Sequence, residues 1–191
     1  DLMADSAKMR GARGRGIGYI PQEPMANLDP SFTVGAQLTE GLRATRNLSK
    51  EDARSRLVEL LMRVGIMDPE RVMKLYPHEI SGGMARRVAL ARAIALDPDL
   101  ILYDEPFAGL DPISMGVVLR LIRRLNDTLG LTSIVVSHDV REITAVADYC
   151  HLLSGGRIIA SGPPATVAGS THEDVRQFMH VLPRPDVDHV S

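Results

Sequence analysis

Cysteine is nearly absent from this 191-residue chain, tryptophan is missing altogether, and aromatic residues make up 4%. The one cysteine, Cys150, excludes an internal disulfide and any multi-cysteine zinc site, and it fits a reducing compartment. Long hydrophobic runs are also lacking. The longest uncharged apolar stretches, such as Leu100 to Tyr103 and Ile134 to Val136, fall far short of a membrane span. No excess of basic charge exists: Lys plus Arg total 22 against 24 for Asp plus Glu, a net charge of −2. A nucleic-acid binder held by a generic electrostatic footprint is thereby disfavoured. No internal repeat, heptad run, low-complexity tract or signal-peptide pattern occurs. What is present, 45% hydrophobic and 24% charged residues, lies in the ordinary globular range. The length suits one medium domain, or one domain with an insertion.

The pattern along the chain alternates between turn chemistry and periodic apolar stretches. Residues 1–16 read as a short basic helix or loop. Ile17 to Ile20 reads as a brief strand stopped by Pro21, and Asn27 to Pro30 as a turn. A helix is expected over Val34 to Arg46. Ser49, with Asp52 three residues on, opens a better marked one, whose stripe runs through Leu57, Val58, Leu60, Leu61 and Val64 to a stop at Gly65. Pro69 starts another short helix. Ser81-Gly82-Gly83 leads into an alanine-rich helix from Met84 to Leu96.

From there the plan changes. Leu100 to Tyr103 reads as a strand buried on both faces, ending in Asp104-Glu105-Pro106. Asp111-Pro112 predicts an N-cap with proline at the first helical position, for a helix burying Val117, Val118, Leu121, Ile122 and Leu125 and ending at Gly130. Thr132 to Val136 reads as a second buried strand followed by Ser137-His138. Asp139 with Glu142 caps one more helix, and Tyr149 to Leu153 with Arg157 to Ser161 form a hairpin around Ser154-Gly155-Gly156. Strand, helix, strand and helix in succession predict an α/β protein with a parallel sheet core, and the mostly helical stretch from about 30 to 96 reads as an inserted or flanking helical lobe.

Three polar clusters fall at the carboxyl ends of expected strands: Gln22 after Ile20, Asp104-Glu105 after Tyr103, and His138 after Val136. Ligands of doubly wound sheets bind at such ends. Each cluster alone is weak, because a glutamine there is usually a loop residue, acidic residues before proline are usually turn chemistry, and a lone histidine is usually structural. Together they suit metal-assisted phosphoryl transfer. One carboxylate can hold a hydrated magnesium ion, the next can orient and deprotonate water, and a histidine on the neighbouring strand end can reach the terminal phosphate. Ser81-Gly82-Gly83 offers backbone N–H groups at the positive end of a helix, a suitable phosphate cradle.

In this order the motifs resemble the nucleotide-binding domain of ABC transporters, over nearly the whole chain to about residue 168. Ile80-Ser81-Gly82-Gly83-Met84 resembles the signature loop, Leu100 to Glu105 the Walker B strand with its catalytic glutamate, and Gly109-Leu110-Asp111 the D-loop. His138 is similar to the switch histidine, and Gln22 to the Q-loop glutamine. The resemblance implies a P-loop NTPase-like fold and ATP with Mg2+ as ligands. It makes Glu105 the general base, lets Asp104 hold the ion through water, and has Gln22 help place metal and water. His138 would contact the γ-phosphate. Ser81, Gly82 and Gly83 would clamp a nucleotide held by the other subunit of a head-to-tail dimer, and Asp111 of the D-loop would be a further nucleotide-binding residue. It also implies membrane-spanning permease subunits as partners, a peripheral position on the cytoplasmic face of the inner membrane, and no nucleic acid. The implied divisions are 1–30 (Q-loop end of the core), 31–96 (helical subdomain with the signature loop), 97–168 (remaining core) and 169–191 (C-terminal extension).

The chain also departs from that pattern. No G-x-x-x-x-G-K-[ST] occurs. In the family this loop and the adenine-stacking aromatic precede the Q-loop, so the expectation is a chain without its first strands and phosphate loop, binding ATP poorly by itself, with an exposed sheet edge that favours aggregation. The two halves resemble different branches. Gly18 to Met25 and Leu28 to Gly35 resemble ATPases of dipeptide and oligopeptide importers. Ile80 to Arg87, Asp104 to Gly116, Met84 in place of the usual glutamine, and Val175 to Phe178 resemble Mla-type ATPases that move phospholipid. Phospholipid transport is the preferred expectation, with peptide import and a non-catalytic, dimerising fragment as alternatives. ABC ATPases working on nucleic acid usually carry coiled-coil or zinc-bearing insertions, which this sequence does not show.

Overall fold

A computed structural model describes residues 16–24 and 28–180. The expectations for residues 1–15, for Asn27 and for the tail from Pro183 lie outside the described residues. The chain divides into two compact units, 1–136 and 137–191.

The first unit holds a parallel sheet and a set of helices. Strand β1 (Ile17–Ile20) pairs with β2 (Leu100–Asp104), and β2 pairs with β3 (Thr132–Val136), giving the order β1-β2-β3. Between β1 and β2 run α1 (Val34–Arg46), α2 (Lys50–Arg63), α3 (Pro69–Lys74), a 3-10 turn (Pro77–Glu79) and α4 (Gly82–Ile94). Helix α5 (Pro112–Leu129) connects β2 to β3.

Each helix start has a chemical cause. Thr33, Ser49, Asp68 and Asp111 stand at the N-caps of α1, α2, α3 and α5, and each side chain accepts an otherwise orphaned backbone N–H. Asn47 closes α1, and Gly130 (φ 63°) closes α5, both in the left-handed conformation that ends a helix cheaply. The Ser49–Asp52 pair is half a capping box: Asp52 N–H donates to Ser49 Oγ at 3.0 Å, but the Asp52 carboxylate takes the serine hydroxyl rather than a backbone N–H. Tyr76 N–H, by contrast, donates to Glu79 Oε2 at 2.7 Å, while Glu79 N–H donates to the Tyr76 backbone carbonyl at 3.0 Å.

The helical core of this unit is apolar throughout: Val34, Leu57, Leu61 and Val64 are completely buried, with Leu38, Leu42 and Leu60 nearly so. Leu57 and Leu61 are four residues apart on one face of α2, and that face packs on α1 and α4. Asp97 ties the lobe to the end of α4, accepting from Arg46 at 3.0 Å and Arg56 at 2.9 Å. Gly18 explains how α4 lies so close to β1: a Cβ there would stand 3.1 Å from the Ala93 carbonyl oxygen.

Two expectations are corrected in the sheet. Leu100 to Tyr103 is not buried on both faces, nor is Thr132 to Val136. Gly18, Ile20, Ile101 and Tyr103 are buried, whereas their alternating neighbours on β1 and β2 are partly or largely exposed. On β3, Thr132, Ile134 and Val136 are exposed. The period of two sends successive residues to opposite faces, and among the described residues one face is left open. Helix α5 also differs in phase from its expected stripe. It buries Leu119, Ile122 and Leu125, while Val117, Val118 and Leu121 are half-buried. The alanine-rich helix begins two residues earlier than expected, so Gly82 and Gly83 are its first helical residues rather than a preceding turn.

The second unit contains α6 (Val140–Val146), the antiparallel hairpin β4 (Cys150–Ser154) and β5 (Arg157–Gly162), then α7 (Pro164–Ala168) and α8 (Glu173–His180). Helix α7 packs on both hairpin strands and on α8. Asp139 occupies the N-cap of α6 but its side chain makes no capping bond, which corrects the expected cap.

Candidate nucleotide site

Strand β2 ends in Asp104, and Glu105 follows at once. The sheet register sets Asp104 opposite Val136, and Glu105 N–H donates to the Val136 carbonyl at 2.9 Å, so the first residue beyond the strand is still anchored to β3. Glu105 has φ 45°, a left-handed conformation that is costly for a residue with a Cβ. The chain then turns tightly, with Ala108 N–H to the Glu105 carbonyl at 3.1 Å and Leu110 N–H to the Phe107 carbonyl at 3.1 Å. Pro106 and Phe107 are buried beneath this turn.

Beside Asp104 lies the end of β1. Ile20 pairs with Tyr103, and the exposed Gln22 follows two residues later, so Gln22 and Asp104 leave the sheet from adjacent parallel strands at the same edge. Tyr19 Oη donates to Asp104 Oδ2 at 3.0 Å. This bond, with the nearby carboxylate charge and partial desolvation, holds the Tyr19 phenol above its ordinary pKa. Sequence reasoning missed Tyr19, although parity could have found it. Tyr19 pairs with Leu102, two residues before Asp104, so the period of two sends Tyr19 and Asp104 to one face.

Ser81 is the N-cap of α4 and accepts Met84 N–H at 3.4 Å. Its neighbours Gly82 and Gly83 are exposed, no acidic residue lies in the first turn of α4, and nothing lies within 4 Å of a Cβ built at Gly83. An anionic group can therefore approach the first N–H groups of α4 without steric obstruction. Asp111 does capping work: its carboxylate accepts Ile113 N–H and Ser114 N–H, both at 3.0 Å. Hydrogen bonding to Ser114, through its side chain first and then its backbone, lowers the Asp111 pKa below the ordinary carboxylate value.

The first unit thus brings together Gln22, Asp104 and Glu105 at one sheet edge. Ser81 to Gly83 and Asp111 stand at two separate helix starts. His138 belongs to the second unit, where its carbonyl accepts Val140 N–H at 3.1 Å. Asp104 and Gln22 are hard oxygen donors, the type magnesium prefers when most of its shell is water and phosphate oxygen. On donor chemistry the residues present fit that ion.

A parallel sheet with paired carboxylates at the carboxyl end of its middle strand, next to a glycine-started helix, marks an ATP-binding cassette, and comparison with known proteins agrees. The family model described as "ABC transporter" matches residues 2–108, and the chain belongs to this family. The intermembrane phospholipid transport system ATP-binding protein MlaF of Haemophilus influenzae is 54% identical over 120 residues, covering 63% of this chain and 46% of that protein. A "Putative peptide import ATP-binding protein" of Brucella ovis is 40% identical over 186 residues, covering 96% of this chain and 55% of that protein. The chain spans about half the length of the curated relatives it matches.

Among solved structures, CbiO1 of Clostridium perfringens, described as part of the ABC transporter complex CbiONQ, matches with a TM-score of 0.77 and 28% identity, over 94% of this chain and 69% of that one. The ATP-binding cassette MJ0796, solved as a dimer in a post-hydrolysis state with ADP and Pi, matches with a TM-score of 0.72 and 29% identity, over 84% and 68% respectively. The fold is the α/β, P-loop NTPase-like fold of ABC ATPase cassettes. No described helix is long and apolar enough to cross a membrane.

Proposed function

We propose that this chain is part of the ATP-binding, ATP-hydrolysing subunit of an ABC transporter. The observation carrying the reading is the Asp104-Glu105 pair closing β2, with Gln22 leaving the adjacent strand at the same edge. In this reading Glu105 accepts a proton from the attacking water, and Asp104 and Gln22 would hold Mg2+. The bound ion supplies neutralisation of the phosphate oxygens. His138 donates to the γ-phosphate. The first turn of α4, with Ser81, Gly82 and Gly83, receives the phosphates of a nucleotide held by a second ATPase subunit in a head-to-tail dimer. Asp111, by capping α5, shapes the loop that faces that subunit. A structural neighbour, the cassette MJ0796, is a dimer bound to ADP and Pi, which supports this arrangement.

Further partners in this reading are membrane-spanning permease subunits, with the ATPase lying peripherally on the cytoplasmic face. The cargo is phospholipid, supported by 54% identity to MlaF, named for intermembrane phospholipid transport, over 120 residues. Peptide import is the second reading, supported by an alignment that covers 96% of this chain. This chain has no G-x-x-x-x-G-K-[ST] sequence, so by itself it binds Mg-ATP weakly and hydrolyses it negligibly.

The test has two arms. Calorimetric titration of the isolated chain with Mg-ATP is expected to show only weak binding, and submicromolar affinity would refute the incomplete-site reading. The protein translated from the whole reading frame is expected to hydrolyse ATP, with Glu105→Gln lowering kcat by about 10²–10⁴-fold. Undiminished turnover in that variant would remove Glu105 from its role. Reconstitution with membrane-spanning permease subunits of each transporter type separates the cargoes: fluorescent phospholipid transfer between vesicles favours the first reading, labelled dipeptide uptake the second.

A further inference from the structure

Arg86 lies on α4, five residues beyond Ser81, and its side chain does not follow its helix into solvent. It crosses to the turn after β2, where Nε donates to the Pro106 carbonyl at 3.1 Å and a terminal nitrogen donates to the Ala108 carbonyl. These carbonyls flank buried Phe107 in the same tight turn that begins at Glu105. The turn satisfies its N–H groups internally and against Val136, through Glu105, Ala108 and Leu110. Arg86 takes up two of its outward carbonyls at once.

The geometry needs such a fork. Glu105 sits at φ 45°, in a region that a glutamate leaves readily unless its surroundings over-determine it. The planar guanidinium carries five donors in fixed relative positions and can hold two acceptors without bending, which an ammonium group cannot do. Arg86 is also only partly exposed, and burial lowers its pKa. A cation drawn partly out of water is retained where charge-assisted bonds compensate it, and the two carbonyls supply them.

We infer that Arg86 is a positioning residue for the proposed general base: it locks the 105–108 turn onto α4, so that Glu105 keeps its left-handed backbone and the signature helix and the base move as one piece. Arg86 acts through Glu105 and touches no nucleotide in this scheme. The inference rests on the reading of Glu105 as the base.

The first test is amide hydrogen exchange on this chain. Arg86→Ala is expected to speed exchange at Ala108 and Leu110 about tenfold, with Leu90 in α4 unchanged and Arg86→Lys intermediate. Unchanged exchange at the turn, or an equal rise at Leu90, would overturn it, the latter because Arg86 would then be supporting the whole fold. The second test is turnover of the protein from the whole reading frame. Arg86→Ala is expected to lower kcat about tenfold with the KM for ATP within twofold, Arg86→Lys to recover part of it, and Arg86→Ala to add nothing in a Glu105→Gln background. An unaltered kcat in Arg86→Ala, or an additive loss in the double variant, would overturn the inference. If Glu105→Gln leaves turnover intact, the base assignment fails and the positioning role with it, while the exchange result still reports whether Arg86 holds the turn.

Discussion

The Tyr19 hydroxyl donates to Asp104 Oδ2 at 3.0 Å across two parallel strands, 85 residues apart in the chain. The contact follows from register. Tyr19 opposes Leu102, the next residue of the same parity on β2 is Asp104, and a tyrosine is long enough to reach the diagonal neighbour. One carboxylate oxygen of the proposed ion-holding residue is thereby oriented by the protein itself.

Asp104→Ala is expected to move the Tyr19 phenol toward the ordinary tyrosine pKa, since the hydrogen bond to that carboxylate is the largest cause raising it, ahead of desolvation and the carboxylate charge. Phenolate absorbance followed through alkaline pH reads this directly, with Tyr19→Phe identifying the component. A titration curve indifferent to Asp104→Ala would mean that the hydroxyl is not engaged in solution. Because Tyr19 is half exposed, Tyr19→Phe should change stability by no more than about 0.5 kcal/mol.

Tyr103 behaves in the opposite setting. Burial pushes its phenol up to about 12, outweighing the nearby Ser133 hydroxyl. The folded pKa lies above the unfolded value of 10.0, so this contribution is fully present below pH 10. It is lost as pH rises toward 12, because the unfolded chain there binds fewer protons than the folded one. The expected loss is on the order of 2 kcal/mol, about 1.4 kcal/mol per pKa unit. Urea unfolding at pH 9 and pH 11.5 measures it, and in Tyr103→Phe that share of the pH dependence should vanish.

Glu105 carries backbone strain at φ 45°. Asparagine tolerates the left-handed region far better, so Glu105→Asn should raise unfolding stability by about 0.5 kcal/mol while removing the proposed base. A denaturant midpoint that moves downward in this variant would show that the carboxylate's contacts outweigh the strain.

The open face of the sheet invites association. Tyr19, Ile134 and Val136 are each at least half exposed, and β3 has a strand partner on one side only among the described residues. The chain should therefore self-associate with rising concentration and bind a hydrophobic dye, and Ile134→Lys should reduce both. Sedimentation at several concentrations tests this; a monomer at all of them would mean that the face is covered in solution.

The elements were legible where the signal is local. Helix α1 runs over the expected Val34–Arg46, and α5 starts at Pro112 behind the Asp111 cap and stops before Gly130. Caps and glycine stops act within four residues, so sequence carries them. Periodicity was less reliable for burial. The apolar run Leu100 to Tyr103 reads as a strand covered on both faces, yet Leu100 and Leu102 are only half-buried. A hydrophobic residue records what it can pack against, not whether that partner is present.

By itself the sequence determined the order of the elements, the parallel sheet plan and the residue types gathered at the strand ends, because these depend on propensity, spacing and turn chemistry over short distances. Only the tertiary structure decided that Tyr19 holds Asp104, that Arg86 reaches across 20 residues to the Glu105 turn, and that Asp111 spends its carboxylate on two amides of α5. Those contacts depend on register and on the approach of α4 to β1, where Gly18 removes a Cβ. Long-range geometry is set by how whole faces pack, and no window of neighbouring residues encodes it.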